Sequence, residues 1–352
     1  MGNIDTYVKK TGQKTFDQEP FNNVDNLIIS YLVYYDFRGI VPTPGQGGDL
    51  SVAQAALQYN KRVGDSQKTV RPILLKDMAE SVRFKDMRLS ARVDIFAKGK
   101  TQFSALCVKL PDGTPYYVFR GIDYSVTGWK EAFQTSYMET PAQKMAAKYL
   151  NRLLSKGKLP DKILTGGHSK GGNLALYAAV HQKKEYRDRI RTIYQNDAPG
   201  LAPGSYKPEI LAEFKGRVKR FSPEFLLIDS LFKDSYPNRI IRSEYKGFNQ
   251  HEPFSWIVEG TDFVDAPQAD PAALMLKDII SDWIRILSPK ECEAFIRRFF
   301  GVWQKAADEG KQMDIAKTED LLKMVVRTWV GASVPARKAV IKFVKCAAEA
   351  VF

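Results

Sequence analysis

The stretch ILTGGHSKGGNLALYAAV, Ile163 to Val180, decides how the chain is read. Ile163, Leu164 and Thr165 read as the end of a short buried strand. Leu174, Ala175, Tyr177, Ala178 and Ala179 recur at helical spacing, which predicts a helix almost at once. Between them lies G-x-S-x-G, Gly167 to Gly171, on a strand-to-helix turn, the setting of a nucleophile elbow. A serine on so sharp a turn needs neighbours without Cβ atoms, so that strand and helix backbones can approach. The helix start beneath Ser169 offers N–H groups and a positive dipole end to a developing oxyanion. The bland alternative is a Gly-rich turn that only packs a helix on a sheet, or binds a phosphate. Neither G-x-x-x-x-G-K-[ST] nor G-x-G-x-x-G is present here, so the phosphate reading is the poorer one.

On either side of this stretch the pattern switches between periods of two and 3.6. Phe103–Leu110 and Tyr116–Phe119 read as strands joined through Pro111-Asp112-Gly113, a turn signal. Trp129–Tyr137 and Pro141–Leu154 read as helices before the elbow. Ile190–Tyr194, Val218–Phe221 and Arg239–Arg242 read as strands after it. Strands alternating with helices after a hairpin predict a largely parallel sheet covered on both faces. Nearer the start, helices are expected at Phe21–Phe37, Ser51–Val63 and Pro72–Phe84. Pro271–Leu287, Pro289–Asp308 and Ala332–Phe352 read as helices at the other end, with no strand signal past about Asp265.

A serine hydroxyl becomes a nucleophile when a base takes its proton and a third group orients that base. The chain has three histidines. His168 precedes the serine in the turn, so its side chain is expected to point elsewhere. His181 lies twelve residues along the elbow helix, about 18 Å away along the axis, and cannot reach. His251, in FNQHEPFSW, is left as the base by the order Ser, acid, His. Three carboxylates compete to orient it. Asp229 ranks first, because a carboxylate among Leu226, Leu227, Ile228, Leu231 and Phe232 would be buried and need a partner. Asp197, in QNDAPG, ranks second and also reads as a turn residue. Glu224 ranks third. For the oxyanion the expected donors are the main-chain N–H groups of Lys170, next to the nucleophile, and Ile122, in VFRGIDYSVTGW.

These segments carry a resemblance. GGHSKGGNLA is similar to the elbow of class 3 lipases, and FRGIDYSVTGW to their oxyanion segment. FNNVDNLIIS, VFRGIDYSVTGWKEAF, GGHSKGGNLALYAAV, NDAPG and QHEPFSW together resemble a bacterial family of lipase-like α/β-hydrolases, the Mbeg-like proteins. The resemblance implies a serine-hydrolase site with Ser169 as nucleophile and His251 as base. Two departures stand out. Class 3 lipases carry Ser or Thr where this chain has Ile122, so only the main-chain donor can serve. Their acid sits in a D-x-V-P-like segment, and the matching EFLLIDSL has its Asp229 three positions further on.

The expected fold class is therefore α/β, α/β-hydrolase-like, a mostly parallel sheet flanked by helices with helical additions at both ends. Residues 1–100 are expected as an N-terminal helical segment packed on the core, 101–265 as the core, and 266–352 as a helical cap or appendage. The expected activity is cleavage of an acyl or lipid ester, with no metal or organic cofactor. The rival is a hydrolase-fold protein that has lost catalysis and binds a partner. A formal charge of +13 suits weak contact with an anionic membrane surface. The Lys and Arg residues are scattered and accompany no nucleic-acid motif, so no specific nucleic-acid partner is expected. Cys107, Cys292 and Cys346 lie far apart, without metal or disulfide spacing, which suits a reducing cytoplasm.

Overall fold

Eight strands form one sheet in chain order in the computed structural model, which describes residues 1–63, 71–97, 101–122, 126–135, 138–225, 236–308 and 326–351. They are β1 (Leu50–Ser51), β2 (Arg88–Ala97), β3 (Thr101–Lys109), β4 (Pro115–Phe119), β5 (Ile163–His168), β6 (Ile190–Asn196), β7 (Val218–Pro223) and β8 (Asn238–Ile241). Neighbours from β1 to β4 run antiparallel, and from β4 to β8 every pair is parallel. A mostly parallel sheet with helices on both faces and a nucleophile-type turn after β5 makes the fold α/β-hydrolase-like.

The helices before the sheet's centre are α1 (Ile4–Thr11), α2 (Asn23–Tyr31), α3 (Val52–Val63), α4 (Pro72–Glu80), α5 (Val126–Gln134) and α6 (Pro141–Leu154). After β5 come α7 (Lys170–Val180), α8 (Lys184–Arg187), α9 (Pro208–Ala212), α10 (Pro271–Ile286), α11 (Pro289–Asp308) and α12 (Val334–Val351). Capping explains several starts. Asn22 caps α2, its side chain accepting from Val24 and Asp25 while the Asp25 carboxylate accepts from the Asn22 amide. Thr140 and Gln143 cap α6 in the same reciprocal way, with Pro141 in the first turn.

Strand alternation sends side chains into two cores. Leu106, Val108, Tyr116 and Val118 join the cluster formed with Ile4, Leu27, Ile28, Leu74 and Met78 of the N-terminal helices. Phe103, Ala105, Tyr117 and Phe119, in the intervening positions, join Ala146, Leu150, Leu174 and Ala178 of α6 and α7. Every residue of α7 is buried, which is why its sequence is apolar or small nearly all round.

The structure departs from the sequence reading near the N-terminus. Residues 1–100 supply two strands as well as helices, and the expected boundary at residue 100 falls between β2 and β3, antiparallel neighbours in one sheet. The N-terminal helices build one face of the central core. The pattern of β2 hides it: RLSARVDIFA mixes polar and apolar residues, is half-buried along most of its length, and has a register shift between Ser90 and Val93.

Candidate active site

Ser169 follows β5 and Asp197 follows β6, and the last residues of those strands, His168 and Asn196, are register partners. Parallel neighbours of matched length therefore present both side chains at the carboxyl end of the sheet, where open α/β folds place their ligands. The Ser169 amide donates to the Asn196 carbonyl at 2.9 Å, and the Asp197 amide to that of Phe221 at 2.6 Å. Both residues hold left-handed backbone: φ is 57° at Ser169, with ψ −135°, and 44° at Asp197. Among the described residues only Arg71 and Ala91 share a positive φ without being glycine. Strain of this kind persists where the surroundings over-determine it and concentrates at working sites.

The elbow's glycines are required by contact. A Cβ on Gly171 would lie 2.1 Å from the Phe119 carbonyl oxygen at the end of β4. A Cβ on Gly121 would lie 3.1 Å from the Ser169 Cβ and 2.8 Å from the His168 carbonyl oxygen. The segment after β4 therefore lies directly against Ser169. The Gly121 amide donates to the Tyr34 hydroxyl at 3.1 Å, which makes the next amide, that of buried Ile122, the candidate donor of this segment. Lys170 is the first residue of α7, whose opening amides have no carbonyl partner within the helix.

His251 ends a 3-10 turn, Gly247–His251, after β8. The loop is fixed through Gln250: its side chain accepts from the Phe225 amide at 2.8 Å, and its carbonyl accepts from buried Trp256 Nε1 at 2.9 Å. His251 Nδ1 meets Asp197 Oδ2 at 2.6 Å, both groups buried. A carboxylate in that place accepts from Nδ1–H and leaves Nε2 as the basic nitrogen. Burial pushes the imidazole down to about 4, so it is neutral at pH 7. Burial pushes the Asp197 carboxyl up, and the Arg220 guanidinium pulls against that.

Asp197, second in the sequence ranking, is thus the imidazole's partner. Asp229, first in that ranking, lies outside the described residues. Glu224 sits just past β7, half-buried, its carbonyl accepting from the Asp270 amide. His181 stacks on Tyr177 at the far end of α7, as expected of a residue out of reach.

Two residues were read too lightly from sequence. His168 was expected to point away, yet its ring lies 4.5 Å from the His251 ring and its Nε2 donates to the His251 carbonyl at 2.9 Å. It holds the loop that carries His251. Lys170 was valued only for its amide. Its buried ammonium donates to Glu131 of α5 and to the Gln102 carbonyl, both at 2.8 Å. Glu131 also accepts from the Gln102 amide, Thr101 Oγ1 and the Ala142 amide. The pair ties the elbow to the helix that follows the oxyanion segment. A lysine in a run as apolar as GGHSKGGNLALYAAV was itself the signal, since a buried ammonium must find a partner.

A family model described as Mbeg1-like matches residues 78–301, more than half of the chain. The chain belongs to the Mbeg1-like family. Among solved structures it is similar to M37 lipase, with 15% identity, 58% of this chain and 68% of that chain covered, and a TM-score of 0.36. No curated protein matches it in sequence. No helix among the described residues is long and apolar enough to cross a membrane, and no described cluster of His, Cys, Asp or Glu could hold a metal ion.

The buried histidines give this Mbeg1-like chain a pH signature. His168 is held neutral, its proton affinity well below the ordinary 6.5, chiefly by burial and then by the neighbouring His251. In the unfolded chain it takes up a proton below about 6.5; in the folded chain it does not. The unfolded state then binds more protons, so stability is full above 6.5 and is lost as pH falls below it. Thermal melts between pH 7.5 and 5 are expected to show Tm falling with pH. His168→Gln, which keeps an N–H donor but does not titrate, flattens that fall. An identical slope in the variant would exclude His168 as its source.

Proposed function

We propose that this protein is a serine hydrolase that cleaves an acyl or lipid ester through an acyl-enzyme at Ser169. The observation that supports this reading is a neutral imidazole held by a carboxylate at 2.6 Å, in a loop packed on the residue before a strained serine at the carboxyl end of β5. Ser169 Oγ attacks the carbonyl carbon while its proton passes to His251 Nε2. The amides of Lys170 and Ile122 receive the oxyanion, and the imidazolium returns its proton to the leaving alcohol. Water repeats the sequence and frees the acid. Asp197 holds the ring and balances the charge on it. Catalysis of this kind requires no metal or organic cofactor. A cytoplasmic setting fits Cys107 and Cys292, which are buried free thiols.

One observation favours the rival reading, a binding module without catalysis. Ser169 and His251 are each only 5% exposed. A fluorophosphonate probe separates the two. Covalent labelling at Ser169, lost in Ser169→Ala, is expected of the hydrolase. A folded protein that stays unlabelled after prolonged exposure would sink the proposal.

A further inference from the structure

The last helix is buried on one side and open on the other. Trp283 of α10 donates through Nε1 to the Ala339 carbonyl at 2.7 Å, and Phe295 and Phe343 pack around its ring. Lys342 closes the same side by binding Glu291 and the Ile286 carbonyl, each at 2.8 Å. Ala336, Ala339 and Val340 therefore face inward. At helical spacing on the opposite side stand Val334, Ile341 and Val344, with Arg337, Lys338 and Lys345 between and beside them, all exposed.

The preceding turn extends this face. Val326, Trp329 and Val330 are exposed as well, and the Arg337 guanidinium lies 6.0 Å from the centre of the Trp329 ring, which places the turn beside α12. The six apolar side chains range from 39% exposed at Trp329 to 67% at Val334. Single exposed apolar residues need no explanation; six within one short segment do. The charge pattern is equally one-sided. From Arg327 to Ala350 the sequence has five basic residues, of which Lys342 is engaged with Glu291, and one acidic residue, Glu349. On α10 and α11, Asp282, Glu291 and Glu293 are already paired with Arg285, Lys342 and Arg297.

We propose that this face seats the protein on an anionic phospholipid surface. Valine and isoleucine side chains enter the boundary between headgroups and acyl chains, and Trp329 suits that boundary because its ring is apolar and its N–H polar. Arg337 and Lys338 lie where lipid phosphates and carboxylates would meet them. A second copy is a poorer occupant, since self-pairing would bring like charges together. The α12 segment lies flat at the surface, in keeping with the absence of a spanning helix among the described residues.

The test is co-sedimentation of the whole protein with vesicles of phosphatidylcholine alone, or of phosphatidylcholine with roughly one-third phosphatidylserine. Tenfold or stronger preference for the anionic vesicles is expected, on the order of what a few basic residues supply at such a surface. Part of the binding should survive at 1 M salt, where the Debye length is about 3 Å, because apolar insertion is not screened. Val334→Glu, Ile341→Glu and Val344→Glu together should remove the salt-resistant part; Arg337→Glu with Lys338→Glu should remove the preference for phosphatidylserine. All five side chains are exposed, so circular dichroism should be unchanged. Ser169→Ala should bind as the parent does, which keeps this test separate from the question of catalysis. Equal binding to both vesicles, no binding to either, or an unaffected triple variant would overturn the proposal. So would a dimer in sedimentation velocity that the triple variant dissolves.

Discussion

Ser169→Ala and His251→Ala are each expected to lower hydrolysis of a short p-nitrophenyl ester by about 10⁶, and the double variant by no more than either alone. The two groups act as one device: the hydroxyl needs the imidazole to take its proton, and the imidazole has no other task once the hydroxyl is gone. The residual rate comes from the oxyanion donors and from binding, which neither change touches. Circular dichroism of both variants checks that the loss is not one of folding. His181→Ala, at the remote end of α7, should leave the rate nearly intact. Unchanged hydrolysis in Ser169→Ala or His251→Ala would remove that residue from the mechanism.

A comparable loss, about 10⁴, is expected for Asp197→Asn. The amide has two ways to sit. With its NH₂ toward His251 Nδ1 it forces the imidazole proton onto Nε2, where the serine's proton must go. With its oxygen toward Nδ1 it buries the NH₂ where Asp197 Oδ1 has no hydrogen-bond partner among the described residues. Either way the negative charge that steadies the imidazolium is gone. Glu224→Gln and Asp229→Asn, run beside it, should stay within about tenfold of the parent, since only the triad carboxylate carries the large effect. A large loss in Asp229→Asn with little in Asp197→Asn would reverse the assignment.

The carboxylate that meets His251 was hard to find in the sequence for a physical reason. QNDAPG is rich in turn formers, and a strained aspartate at a strand end looks like any Asp in a tight turn. What distinguishes it is the pairing of Asn196 with His168 across two parallel strands, which brings Asp197 level with Ser169. Register between strands far apart in sequence is not written locally. The elbow was legible because its turn, glycines and buried helix occupy one continuous stretch. The hairpin of β3 and β4 was legible for the same reason, its turn chemistry and alternation lying side by side. Strand β2 was not, because its bulge breaks the alternation that marks a strand. The roles of His168 and Lys170 became visible only once Glu131 and the His251 loop had been brought against them.

The buried asparagine pair joining α2 to β6 sets a limit on where the chain can be divided. Asn26 Nδ2 donates to Asn196 Oδ1 at 2.9 Å, and Asn196 Nδ2 returns a bond to Asn26 Oδ1 at 3.1 Å while also reaching the Gly167 carbonyl at 3.2 Å. Tyr116 donates to the same Asn26 oxygen at 2.8 Å. Asn196 is the residue before Asp197 and Gly167 is two before Ser169, so an amide in the first thirty residues holds both strand ends level. A shortened chain beginning at residue 78, where the family match begins, would keep Ser169, Asp197 and His251 and lose the helix that aligns them. It would carry all three side chains without the amide that ties the ends of β5 and β6 together.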